Sequence, residues 1–273
     1  MRLKTAAAGL VLALSATLTL SACSGSDDKA SDQGSSQGQS SSGEGSGDLT
    51  QAAFFSDLAA AQSKASTTHV AMTIKAQGQD LKGEGDVKAG SSAKDTAMSI
   101  TLDLGAQKGE MRLVDEVFYM KLGSLTSNKF AKIDLNDSKN PLAEQYRSLV
   151  KNVDPAAQLG QLKKAVTKFE QKGKTVTLDG TKATPYEVTV DTSKLGEALG
   201  APGATAGVPK TLVYTIYIGE DKLPRRVQST VAGTAISMDY SKWGEPVEIS
   251  APPKSDITEK GPFTSTPSAS AMG

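Results

Sequence analysis

Few residues in this chain could support catalysis, because its 273 residues include a single histidine and a single cysteine. His69 stands beside Thr67 and Thr68, and the patterns HExxH and DxDxDG do not occur. A hydrolytic site needs a base and a group that orients it, and a lone histidine cannot hold zinc. We therefore expect no enzyme activity, no metal and no cofactor, and we interpret His69 as a surface residue at the entry to a strand.

The cysteine stands at the end of an N-terminal segment with three parts. Two positive charges come first, at Arg2 and Lys4, and an uncharged run follows over residues 5–20. As a helix this run would measure roughly 24 Å, which is short of the ~30 Å hydrocarbon core of a bilayer. A charged start, a short apolar middle and small residues indicate a secretory signal peptide, which we place at residues 1–22.

The segment Leu20-Ser21-Ala22-Cys23 resembles the lipobox of bacterial lipoproteins, in which diacylglycerol is attached to the cysteine thiol. The resemblance implies that Cys23 becomes the first residue and that its acyl chains anchor the protein on the extracytoplasmic face of the cell membrane. The alternative is an ordinary signal peptide that leaves Cys23 as a free thiol. An unpaired thiol would be a liability in an exported protein, which favours lipidation.

Composition divides the remainder into three parts. Residues 23–48 contain no aromatic residue and few apolar ones, so we predict a disordered Ser/Gly-rich tether that spans about 25–30 Å. Residues 49–256 are predicted to form one domain, and residues 257–273 a disordered tail. Basic and acidic residues are equal in number, at 30 each, and no basic block occurs, which argues against nucleic-acid binding.

Apolar periodicity predicts the elements of this domain. Residues 49–66 have helical spacing, with Asp48 as a predicted cap. From Val70 to Leu135 the period is two, which predicts strands separated by turns at Gly83-Glu84-Gly85 and at 105–109.

Two helices are predicted in the middle of the domain. The first covers residues 141–153, and the second runs from Asp154-Pro155 to Gly173 with Leu159, Leu162, Val166 and Phe169 on one stripe. Further strands are predicted at 175–178, 186–190, 212–218, 225–231 and 235–240, with a short helix or loop at 193–199. Short strands with grouped helices and no βαβ pattern indicate an antiparallel α+β fold.

Methionines stand at apolar positions of several predicted strands: Met72, Met98, Met111, Met120 and Met238. Methionine is flexible and polarizable, and it suits a surface that adapts to varied apolar shapes. A sheet face of this kind could hold acyl chains. The same residues could equally fill an ordinary core beneath the helices.

Several segments occur in a fixed order between about Leu49 and Pro253. They are Leu58–Ala61, Ser66–Val70, Thr184–Asp191, Leu223–Val227, Tyr240–Val247 and Ala251–Pro253. Taken together they resemble the actinobacterial lipoprotein family that includes LppX, LprA, LprF and LprG. That family is similar in fold to the LolA and LolB lipoprotein carriers.

The resemblance implies a strongly curved antiparallel half-barrel sheet with helices packed on its concave face. It also implies a hydrophobic cavity between sheet and helices. The residues expected to line that cavity are Val70, Met72, Ile74, Met98, Ile100, Leu102, Met111, Leu113, Phe118, Met120, Leu162, Val166, Leu212, Tyr214, Ile216 and Met238. The stretch from Gly200 to Pro209 is either a mobile entrance loop or an inert connection, and we expect Trp243 to have a structural role.

Two functions remain open. The first is a non-catalytic lipoprotein that binds or carries acylated lipids or glycolipids, as the resemblance implies. The second is a structural, interaction or sensor lipoprotein, which docks onto an envelope transporter or another membrane partner without carrying lipid.

Overall fold

The computed structural model describes residues 50–258, except residues 77, 91, 104, 106, 151–154 and 199–208. Cys23, the predicted signal peptide, the tether and the tail beyond residue 258 lie outside the described residues, as does nearly all of the stretch from Gly200 to Pro209. None of the helices in the described part combines the length and the apolar character needed to span a membrane.

The first helix, α1, covers Gln51–Ala65. Thr50 caps it, because its hydroxyl accepts a hydrogen bond from the backbone N–H of Ala53 at 3.3 Å. The predicted cap, Asp48, lies outside the described residues. The helix buries Phe54, Phe55, Leu58 and Ala59 against the sheet and so has one apolar face.

Six strands follow α1, and adjacent ones pair in antiparallel fashion. They are β1 (Thr67–Ala76), β2 (Gln79–Lys88), β3 (Ala97–Asp103), β4 (Lys108–Val114), β5 (Val117–Lys121) and β6 (Phe130–Asp134).

The predicted turn at Gly83-Glu84-Gly85 is wrong, because these residues lie inside β2. Sequence reasoning missed this strand because two positions on one of its faces, Gly83 and Gly85, hold glycine instead of an apolar side chain. A Cβ atom on Gly85 would overlap the carbonyl oxygen of Ser99 and lie 2.8 Å from the Cα of Ile100. The glycine therefore permits a very close approach of β3 to β2 at this point.

Two helices follow β6, and they only partly match the prediction. Helix α2 covers Pro141–Val150 and α3 covers Pro155–Ala165, but the chain then continues as strand β7, Val166–Gln171. Val166 and Phe169 therefore belong to a strand, and Gly173 does not end a helix. Pairing of β7 with its neighbour in the sheet, together with the β-branched Val166 and Thr167, outweighs the helical spacing of the apolar residues.

The rest of the chain completes the sheet. The elements are β8 (Val176–Leu178), β9 (Thr181–Asp191), α4 (Thr192–Ala198), β10 (Thr211–Gly219), β11 (Pro224–Val231), β12 (Thr234–Ser241) and β13 (Ile257–Thr258). Strand β13 pairs with Phe130 and Ala131 of β6, so the described sheet extends two residues beyond the predicted end of the domain.

All strands belong to one open sheet, in the order β13-β6-β5-β4-β3-β2-β1-β12-β11-β10-β9-β7, with β8 beside β9. Every pairing is antiparallel except that of β13 with β6. The large curled, mostly antiparallel sheet with few helices confirms the predicted α+β fold class. The helices leave one face of the sheet uncovered, and we call the helix-covered face the inner face.

The inner face carries two separate hydrophobic cores. In the larger one, α1, α3 and α4 pack on β7, β9 and β10 around Val188 and Val190, which are fully buried. In the smaller one, α2 packs on β4, β5 and β6 around Leu113, Phe118 and Ile133. Strands β1, β2 and β12 lie between the two cores and contribute no described apolar side chain to either of them.

Candidate functional site: an apolar trough on the inner face

The predicted cavity residues on strands all point to the inner face. Directly opposed residues of antiparallel strands lie on the same side of a sheet. One row of such partners runs Met120, Met111, Ile100, Gly85, Val70, Tyr240. The next row runs Leu102, Gly83, Met72, Met238, Val227, Ile216.

Burial divides these predicted residues into three groups. Five are buried beneath or beside the helices: Leu113, Phe118, Met120, Leu212 and Ile216. Five more are partly exposed and pack against a core: Met98, Met111, Leu162, Val166 and Tyr214. The remaining six are partly exposed and belong to neither core: Val70, Met72, Ile74, Ile100, Leu102 and Met238.

The last group forms the floor of a trough between the two helix-covered cores. Its members lie on β1, β3 and β12, on the same face as Gly83 and Gly85 of β2. Sequence reasoning missed Ile236, which is partly exposed and lies directly opposite Ile74 on this floor. Its alternation with Met238 along β12 could have revealed it. We use the name trough for this set of residues throughout.

Three tyrosines bring polar groups to this apolar face. Tyr146 of α2 stacks on Phe118, with ring centroids 4.8 Å apart, and Tyr214 of β10 packs against the larger core. Burial raises the pKa of both phenols, and neither hydroxyl has a hydrogen-bond partner among the described residues. The trough therefore lies between two phenols that are free to donate hydrogen bonds.

The third tyrosine, Tyr240, lies directly opposite Val70. Burial raises its pKa to about 12, and its hydroxyl donates a hydrogen bond to the sulfur of Met238, at 3.7 Å. Trp243 stacks on its ring, with centroids 5.9 Å apart, and donates a hydrogen bond from Nε1 to the carbonyl of Pro224 at 2.9 Å. These contacts hold the Trp243 ring in place, and its structural role stays a prediction.

Three cavities are found among the described residues, and two of them are also lined by trough residues, one by Ile236 and the other by Met72 and Leu102. Two are on the outer face, with volumes of about 520 Å³ beside Thr73 and Gln228 and about 270 Å³ beside Lys82 and Thr101. The third, of about 720 Å³, lies between Thr177 and Lys222. The trough residues themselves are partly exposed to solvent.

His69 lies on the outer face, away from the trough. Its Nδ1 is 2.8 Å from a carboxylate oxygen of Asp86, on the neighbouring strand, and its side chain is 26% exposed. This placement agrees with the surface position expected from the sequence.

Comparisons with known proteins support the resemblance that the segments indicate. No family model matches the chain. The lipoarabinomannan carrier protein LprG of Mycobacteroides abscessus is 26% identical over 207 residues, which are 74% of this chain and 84% of that protein.

Two solved lipoprotein structures share the fold. LppX of Mycobacterium tuberculosis matches with a TM-score of 0.52 at 19% identity, over 73% of this chain and 98% of that one. LprF of Mycobacterium bovis matches with a TM-score of 0.53 at 16% identity, over 76% of this chain and 99% of that one. The chain therefore resembles LprG in sequence and the lipoproteins LppX and LprF in fold.

Proposed function

We propose that the domain binds the acyl chains of a lipid or glycolipid in the trough and carries them without catalysing a reaction. The observation that carries this proposal is an apolar sheet surface that no described helix covers. Six predicted residues and Ile236 line it, and all remain partly exposed. A folded protein normally buries such a continuous surface, so an uncovered one indicates a binding partner.

The dimensions of the floor suit a chain molecule. Four adjacent strands, β3, β2, β1 and β12, form it, and at about 4.8 Å per strand spacing they span roughly 14 Å. Removing apolar groups from water stabilises by about 0.8 kcal/mol per methylene. An acyl chain lying across these strands would gain several kcal/mol, which leaves a surplus over the cost of ordering it.

The free hydroxyls of Tyr146 and Tyr214 add selectivity. Each lies at one side of the trough and has no hydrogen-bond partner among the described residues. A ligand with hydrogen-bond acceptors, such as the ester carbonyls of an acylated lipid, would satisfy them. A pure hydrocarbon would leave them unpaired, at a cost of about 1–3 kcal/mol for each group that loses contact with water.

We further propose that the protein works while anchored to the cell membrane through a lipid on Cys23. Removal of a signal peptide after Ala22 and a polar tether up to residue 48 would leave the domain free to reach outward. The name of LprG as a lipoarabinomannan carrier supports a lipid-linked ligand.

The test is native mass spectrometry of Cys23→Ser protein produced in a related bacterial host. We expect co-purified lipid on this protein and its loss from a Met72→Gln, Met238→Gln double variant. These two methionines lie directly opposite each other on the trough floor. Glutamine keeps their size but places amide groups in the apolar surface.

The matched control is a Thr73→Gln, Ser237→Gln variant. These residues also form a directly opposed pair on β1 and β12, but on the outer face. We expect this control to retain lipid. Lipid-free wild-type protein that instead recovers a specific membrane protein in pull-downs would reject the carrier proposal in favour of the docking alternative.

A further inference from the structure

Strand directions place four connections at one end of the sheet. Residue pairing brings Ala76 beside Gln79, Asp103 beside Lys108, and Val231 beside Thr234, and the β5–β6 connection lies at the same end. We call the described residues of these connections, within 75–82, 103–108, 121–130 and 231–234 and without residues 77, 104 and 106, the rim. The trough floor reaches the rim at Ile74, which is opposed by Leu81 on one side and by Ile236 on the other.

The rim carries an excess of positive charge. Its charged residues are the lysines Lys75, Lys82, Lys108, Lys121 and Lys129 and the aspartates Asp80 and Asp103. All these lysines except Lys121 are exposed, and none forms an ion pair with a described residue.

The opposite end of the sheet differs in this respect. There Arg225 is paired with Asp221 at 2.6 Å, and the β4–β5 turn consists of Asp115 and Glu116, with no basic residue. Exposed lysines without an ion pair to a described residue occur at this end too, at Lys88 and Lys94. The rim is therefore distinguished by its excess of lysines over carboxylates and not by unpaired lysines as such.

The rim also presents an apolar side chain to solvent. Leu125 is 69% exposed, the highest value among the large apolar residues of the described part. The loop around it is firmly held: the N–H of Leu125 bonds to the carbonyl of Leu122 at 3.1 Å, and that of Asn128 to the carbonyl of Gly123 at 2.8 Å. The buried Thr126 hydroxyl accepts a further bond from the N–H of Leu122. A rigid loop therefore holds this leucine outward.

We propose that the rim docks on an anionic phospholipid surface, with Leu125 inserted among the headgroups and the lysines against the phosphates. Unpaired lysines beside an exposed leucine match the charge and the apolar interior of such a surface. Docking there places the open end of the trough floor against the membrane, and this deepens the carrier function by giving its ligand a route of entry.

The experiment measures vesicle co-sedimentation of mature Cys23→Ser protein. One set of vesicles contains phosphatidylcholine alone, and the other contains equal parts of phosphatidylcholine and phosphatidylglycerol. We expect binding to the anionic vesicles that weakens as salt rises from ~0.1 M to ~1 M, where the screening length falls from about 10 Å to about 3 Å. A rim variant, Lys108→Glu, Lys129→Glu and Leu125→Ser, should bind at least ~10-fold more weakly.

The matched control changes two exposed lysines and one exposed apolar residue at the opposite end, as Lys88→Glu, Lys94→Glu and Val176→Ser. Val176 is 40% exposed and both lysines are exposed. The control should bind like the wild type. Equal losses in both variants would show that net charge alone acts and would overturn the proposal, as would a rim variant that binds normally.

Failure of docking and failure of lipid carriage remain distinguishable. Co-purified lipid in the mass spectrum reports on the trough, whereas vesicle binding reports on the rim. Urea unfolding of each variant verifies that it is folded before its binding is compared.

Discussion

Replacement of Gly85 by alanine tests how the trough floor is built. A Cβ atom at this position would overlap the Ser99 carbonyl oxygen and lie 2.8 Å from the Cα of Ile100, so the backbone of β3 would have to move. Overpacking of this kind costs typically 1–3 kcal/mol. Alanine restricts the unfolded chain and returns about 0.4–1 kcal/mol. We expect the free energy of unfolding to fall by roughly 1–2 kcal/mol.

Alanine substitutions at two other glycines, Gly83 and Gly160, provide comparisons for the stability of Gly85→Ala. At Gly83 the nearest atom to an added Cβ is Cδ2 of Leu102, at 2.8 Å, which is the end of a flexible side chain. Gly83→Ala should therefore cost less than Gly85→Ala. At Gly160, on the exposed surface of α3, nothing lies within 4 Å, and alanine should stabilise by about 0.5–1 kcal/mol through helix propensity.

Urea unfolding followed by circular dichroism gives the midpoint and the slope for each variant. In thermal unfolding, 1 kcal/mol corresponds to about 2–4 °C for a domain of this size. From the most to the least stable, the expected order is Gly160→Ala, wild type, Gly83→Ala and Gly85→Ala. A Gly85→Ala protein as stable as the wild type, with an unchanged slope, would refute the close approach of β3 to β2.

Three further predictions concern the tyrosines and the first helix. In a fluorescence titration, Tyr146→Phe with Tyr214→Phe should weaken the binding of an ester-containing lipid by about 2- to 10-fold per hydroxyl. The free energy of unfolding should change by less than about 0.5 kcal/mol. Unchanged affinity would contradict the prediction. Because the pKa of Tyr240 is raised to about 12, its contribution to stability is complete below pH ~10 and is lost as the pH rises toward 12. Absorbance titration of the phenols should show one phenol, that of Tyr240, ionising at a higher pH than the ordinary tyrosine value. A single transition near pH 10 would be evidence against this prediction. Thr50→Ala should lower stability by about 1 kcal/mol in urea unfolding, whereas Thr50→Ser should retain most of the cap.

The strand alternation in the sequence was enough to identify the residues that share the inner face. A strand turns successive side chains to opposite sides, so the period of two assigned Met72 and Met238 to one face without any knowledge of their neighbours. The same reasoning failed where the side chain is absent. Gly83 and Gly85 occupy inner-face positions of β2. Glycines are typical of turns, and only the pairing with β1 and β3 shows that these residues belong to a strand.

The segment after α3 shows a second limit. Leu159, Leu162, Val166 and Phe169 have the spacing of a helix, but hydrogen bonds to β9 hold the last two in a strand. Such bonds join residues that are far apart in the chain, and local periodicity carries no information about them.

By itself, the sequence determined which residues are apolar, which side of each strand they occupy and which lipoprotein family the chain resembles. Only the tertiary structure decided that Leu113 and Phe118 are covered by α2 while Met72 and Met238 stay open between the two cores. The physical reason is that burial depends on where the helices lie across the sheet. Residues with the same periodicity can therefore fill a core in one place and line an open trough in another.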